Sequence, residues 1–214
     1  MSSRSRALAL FAVPLAFSFA LTSCQDGNDP AATTSPSESP AAASPTASPS
    51  PTKSQPPKPV PASAEGPAKN IPVPDKPEKA HRRSDEGAAA FTAYYFDIVN
   101  YTLESYKADT LAEISSRSCY LCGDFLIDPI RRNASRGNWQ VGGKYKVRDF
   151  VAHKTGTNDY TVSFIITRER KQMYASTGEL VEDSPAISNP IAGAAKLKYG
   201  EQWVVESLVF EKQE

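Results

Sequence analysis

Three hydrophobic regimes follow one another along the 214 residues. Ala7 to Ala20 is a nearly continuous apolar run of Leu, Phe, Val and Ala, broken by Pro14 and Ser18 and preceded by Arg4 and Arg6. From Asn28 to about Ala80 almost nothing apolar is larger than alanine, with Val60, Ile71 and Val73 as the exceptions. Beyond Ser84 large apolar residues return, first with a helical period and then, after Gly137, with an alternating one.

The helical part opens at Ser84-Asp85-Glu86, a capping hydroxyl followed by first-turn acids. Phe91, Tyr94, Tyr95, Ile98, Tyr101 and Thr102 then recur at steps of three and four, and Phe96, Val99 and Leu103 widen the apolar arc. So broad an arc predicts a helix with neighbours on nearly every side. After a break at Lys107-Ala108-Asp109, Thr110 and Glu113 have the spacing of a capping box for a second, short helix that presents Leu111 and Ile114. A third helical stretch, broken or begun at Asp128-Pro129, runs to Gly137 as its C-cap.

In the alternating part Tyr145, Val147, Asp149 and Val151 share one side of a strand, and Thr155 to Asp159 reads as a hairpin loop. A second strand, Tyr160 to Arg170, extends toward Tyr174. Ser176 to Asn189, with Gly178, Pro185 and scattered acids, reads as a loop, and strands Ala194 to Tyr199 and Gln202 to Phe210 meet at Gly200-Glu201. Helices first and an antiparallel meander afterwards predict an α+β domain over residues 84–214.

Composition changes the picture ahead of that domain. Fourteen of the eighteen prolines lie between Pro30 and Pro77, among Ser, Ala and Thr, in repeats such as Ala43-Ser44-Pro45 and Ala47-Ser48-Pro49. A segment so poor in apolar surface cannot offset its ordering entropy, so residues 24–83 are expected to form a disordered stalk. With its polyproline bias, the part from Asn28 to Ala80, about 53 residues, could extend up to about 160 Å. Between Asp85 and Glu214 there are fifteen Lys and Arg against eighteen Asp and Glu, a net of minus three. That balance gives nucleic acid binding no electrostatic support, and Arg131, Arg132 and Arg136 read as a solvated helix face.

The apolar run near the start has the form of an export signal over residues 1–23 and is short for a span, which needs about 20 apolar residues. It leads into Leu21-Thr22-Ser23-Cys24, which resembles the lipobox of bacterial lipoproteins. In such a site the thiol of Cys24 takes a diacylglyceryl group as a thioether. Two acyl chains anchor a protein stably where one binds marginally, at about 0.8 kcal/mol per buried CH₂. The expected location is therefore the extracytoplasmic face of a cell membrane, with the lipid anchor as the membrane contact.

The aromatic first helix, the two short helices and the closing segment Lys196-Leu197-Lys198-Tyr199-Gly200-Glu201-Gln202-Trp203-Val204-Val205 resemble the nuclear transport factor 2-like, or cystatin-like, cone. With the leader, the stalk and a Cys-x-x-Cys between helices, the chain resembles a family of actinobacterial lipoproteins of unknown function. The resemblance implies N-terminal helices packed on a curved antiparallel sheet, and it implies no activity.

Cys119-Tyr120-Leu121-Cys122 is the sharpest local feature. Export predicts a disulfide, linking the end of the second helix to the start of the third. A thioredoxin-like redox role needs the first cysteine at a helix start after a strand, whereas a helix precedes this one. Haem attachment fails because Gly123 stands where histidine is required, and His81 and His153 are too few and too scattered for a zinc site. No metal or cofactor is expected. Relatives of the cone fold use an Asp, His or Tyr in a pocket between sheet and first helix, which makes Tyr95, Asp97, Asp149 and His153 the candidates. No complete catalytic set stands out. The expectation is a non-catalytic module that binds an envelope protein, a glycan or an apolar ligand; the alternative is an extracytoplasmic enzyme or a Cys-x-x-Cys redox protein.

Overall fold

The computed structural model describes residues 57–211; the leader, Cys24 and the stalk up to residue 56 lie outside the described residues. Within them the architecture is α+β, with helices α1 (Asp85–Ser105), α2 (Asp109–Glu113) and α3 (Asp128–Ser135) and two antiparallel sheets. The larger sheet has the order β2-β3-β6-β7, from strands Tyr145–Lys154, Asp159–Arg168, Ile187–Tyr199 and Trp203–Phe210. The smaller has the order β1-β4-β5, from Trp139–Gly142, Lys171–Tyr174 and Leu180–Ser184.

Helix α1 starts as its sequence dictates. The Ser84 hydroxyl accepts a hydrogen bond from the Gly87 N–H at 3.1 Å, and Tyr106 closes the helix in the left-handed region. Its apolar arc is buried almost throughout: Phe91, Tyr95, Ile98 and Val99 are at most 1% exposed. The larger sheet covers one side, where Tyr160, Val162, Phe164 and Ile166 of β3 and Ala195 and Leu197 of β6 form the facing core. Mid-helix Asn100 ties helix to sheet, its amide donating to the Tyr145 carbonyl at 2.9 Å and accepting from the Tyr145 N–H at 2.8 Å.

Residues 57–83 cover another part of α1, and they correct the expectation that the stalk runs to residue 83. A small bridged turn pairs Val60 with Lys69, and the Ser63 carbonyl accepts from the Trp139 indole at 2.8 Å. Farther on, the Lys76 ammonium lies 5.4 Å from the Phe91 ring centre, and Ala80 is fully buried in a 3-10 turn, Glu78–His81. The carbonyls of His81 and Arg82 then accept from Tyr199 and from the indole of fully buried Trp203. This strap has little apolar surface of its own; it is held because its carbonyls accept from the indoles of buried Trp139 and Trp203 and from the hydroxyl of half-buried Tyr199. It approaches α1 so closely that a Cβ on Gly87 would lie 1.9 Å from the Arg82 oxygen, a contact only glycine avoids.

Other expectations are corrected locally. The Thr110–Glu113 capping box is not made: α2 begins at Asp109 with no side-chain cap. The third helical stretch begins at Tyr120, passes through a π-helical segment, Leu121–Ile127, and continues without a break into α3. Strand β3 ends at Arg168 and β4 is separate from it. The supposed loop 176–189 contains β5, which has mostly exposed side chains and is held by pairing with β4 and by the ion pairs Arg170–Asp183 and Lys171–Glu182.

Candidate functional site

The predicted pocket residues are not brought together. Tyr95 is fully buried, its hydroxyl 3.3 Å from Ser115 Oγ. Because Ser115 donates its own proton to the Leu111 carbonyl, Tyr95 is the donor there. Burial raises its pKa far above the ordinary value, so the phenol stays protonated. Asp97 is exposed on α1. The strand face expected to carry Asp149 is broken by a bulge between Arg148 and Val151, where Asp149 has a φ of 59°. Tyr145, Val147, Phe150 and Ala152 consequently face the core, while Asp149, Val151 and His153 are exposed. The proposed sharing of a face by Asp149 and His153 therefore leads to no site: Asp149 pairs with Arg148, and His153 sits near the hairpin end opposite Thr161.

The cysteine pair forms the expected disulfide, with a Cα–Cα distance of 5.2 Å. Its setting differs from expectation. Helix α2 has already ended at Glu113, and both cysteines sit in the opening turn of the next helix, so the bond staples that turn and does not bridge two helices. Both residues are at most 1% exposed, which leaves the sulfurs inaccessible to a partner thiol in the folded state.

A largely apolar cleft lies elsewhere. It has a volume of 390 Å³ and opens between α1, the π-helical segment with α3, and both sheets. One wall is a stripe of α1: Phe96, Val99, Leu103 and the cap residue Tyr106. At 1.5 Å per residue this stripe is about 15 Å long. Leu121, Phe125 and Leu126 of the π-helical segment form the opposite wall, where wider winding turns three side chains of a six-residue span toward the cleft. Phe125 is 60% exposed at the lip and stacks edge-on against exposed Tyr120 at 5.5 Å.

The polar lining gathers toward the Tyr106 end. Arg168 donates through Nη2 to the Pro185 carbonyl at 2.9 Å, while its Nε–H is buried without a partner. The Tyr106 hydroxyl is likewise buried and unpaired, its pKa pushed up to about 12 by burial and then by the charge of Glu182. Lys171 pairs with Glu182 at 2.5 Å and Ser184 donates to the same carboxylate at 2.8 Å; the Lys171 hydrogen bond is the main cause of a lowered Glu182 pKa. Arg168 acts on Glu182 only through space.

Pattern and spacing along the chain do not single these residues out, for identifiable reasons. Tyr106 lies past the last helical residue, but it continues the 96-99-103 stripe at the right step. Arg168 continues the parity of Tyr160, Val162, Phe164 and Ile166, so it is a guanidinium on the buried side of a strand. That misplaced charge was the available signal.

An α+β domain with an amphipathic cleft between helix and sheet is thus the class of molecule that fold and site define. Residues 57–208 match the family of unknown function DUF6318, and the chain belongs to that family. No curated protein sequence matches the chain. Among solved structures it is similar to Aln2 from a Streptomyces species, with a TM-score of 0.39 and 11% identity over 61% of this chain and 94% of that one. It is also similar to a putative calcium/calmodulin dependent protein kinase II association domain from Xanthomonas campestris, with a TM-score of 0.35 and 6% identity over 67% and 97% of the two chains.

Proposed function

We propose that this protein is a lipid-anchored cell-envelope module with a nuclear transport factor 2-like cone, and that its cleft binds an apolar ligand without chemical change. The observation that carries the binding reading is the cleft itself: 390 Å³, mostly aliphatic and aromatic in lining, with a few polar groups at one end. Ligand sites typically have about 300–1,000 Å³ of such mixed lining. Exposed Phe125 at the lip and a π-helical wall, a feature frequent at functional sites, support the same reading. The non-catalytic part rests on the scatter of Tyr95, Asp97, Asp149 and His153, none of which lines the cleft. Burial of both cysteines favours this reading over a redox role. The anchor rests on the Leu21–Cys24 sequence and the preceding apolar run.

A neutral fluorescent probe, N-phenyl-1-naphthylamine, tests the reading. It is expected to bind one site per chain with enhanced emission. Leu121→Trp, which fills the cleft from a half-buried wall position, is expected to weaken binding by about tenfold or more, equivalent to about 1.4 kcal/mol. Unchanged affinity in that variant, with the fold intact by circular dichroism, would show that the probe sits elsewhere and the reading is wrong.

A further inference from the structure

The proposed apolar cleft carries a cation at one end, and that charge defines what a ligand would need there. Arg168 lines the cleft, donates through Nη2 to the Pro185 carbonyl and has no ion-pair partner among the described residues. A guanidinium on the wall of an apolar cleft is complementary to an anion. Glu182 is engaged by Lys171 and Ser184 and makes no hydrogen bond to Arg168, so Arg168, Lys171 and Glu182 together leave one net positive charge at this end. Along α1 toward Phe96 the wall is apolar, with Val99 and Leu103 between.

Resting on the apolar-ligand reading above, we propose that the cleft takes a long-chain carboxylate, its head at Arg168 and its chain lying along the α1 stripe toward Phe96. One net positive charge matches a singly charged head, and the planar guanidinium fits a carboxylate. A phosphate monoester carries more negative charge than this end compensates. An uncharged head would leave the guanidinium charge uncompensated.

Calorimetric titration of the full chain with dodecanoate, dodecanol and dodecyl phosphate tests this. Dodecanoate is expected to bind about tenfold or more tighter than dodecanol, the size expected of a hydrogen bond to a charged group, and tighter than dodecyl phosphate. Arg168→Gln is expected to abolish the preference for dodecanoate over dodecanol, with the fold of the variant checked by circular dichroism. Equal binding of dodecanoate and dodecanol, or a preference that survives Arg168→Gln, overturns the carboxylate assignment and leaves the apolar-cleft reading standing. Tighter binding of dodecyl phosphate overturns the head-group argument alone. Failure of all three to bind overturns the apolar-cleft reading itself.

Discussion

Asp149 occupies a left-handed backbone conformation at a β-bulge, with φ at 59°. Its side chain is exposed and paired with neighbouring Arg148. The position therefore selects a residue that tolerates positive φ, as Asp, Asn and Gly do, and the carboxylate performs no further task in the cleft. Asp149→Gly is expected to change stability by no more than about 0.5 kcal/mol, whereas Asp149→Val should destabilise by about 1–2 kcal/mol in urea unfolding. Equal and large losses in both variants would mean that the carboxylate matters for itself. The same position shows why side-chain identity misleads at this scale. Period-2 counting puts Asp149 beside Tyr145 and Val147, but one inserted residue shifts the parity, so Phe150 and Ala152 take the inward places. A bulge leaves little trace in a string of residues, because it is settled by what β3 offers across the ladder. Tyr95, Tyr106 and Arg168 make the complementary case: their types were plain, but which hydroxyl finds a partner depends on Ser115 and Glu182, twenty and seventy-six positions away.

Among the elements, the segment from Cys119 to Ser135 departs furthest from simple periodicity. A cystine closes its first turn, a π-helical stretch follows, and Pro129 stands near the start of the regular α-helix. Because winding is continuous from Tyr120, the N–H that proline lacks at 129 leaves a carbonyl of the preceding π-helical turn without its usual partner. The cystine offsets the poor intrinsic stability of π winding by limiting the freedom of the unfolded segment. For so short a ring that contribution is about 2 kcal/mol. The Cys119→Ser, Cys122→Ser pair should lose about that much in urea unfolding. In native buffer with dithiothreitol, iodoacetamide should label neither cysteine, and in urea it should label both. Rapid labelling of the folded protein would instead favour the redox alternative. Element existence was legible wherever a long amphipathic run dominated, as in α1 and β3. It was not legible for β1 or β5, because such runs of four or five residues are too short to show a period of their own and are strands only by virtue of the partner β4.

On the scale of the molecule, the strap makes the family's folded unit longer than its apolar pattern, since residues 57–83 join the domain through carbonyls and one buried alanine. Loss of these contacts would uncover Phe91 and leave the indoles of Trp139 and Trp203 without acceptors. The anchor proposal belongs to this scale too. With two acyl chains at about 0.8 kcal/mol per CH₂, the natural protein should fractionate wholly with membranes, and Cys24→Ala should shift it to the soluble fraction. A natural protein found in the soluble fraction with an unmodified thiol would end that proposal. By itself the sequence determined the α+β order of elements, the inward residues of α1 and β3, and the close cysteine pair, because each follows from local period or spacing. The tertiary structure alone decided the strap, the bulge, the small sheet and the two unpaired donors. Those features exist only once segments far apart in the chain compete for the same hydrogen bonds and the same buried space.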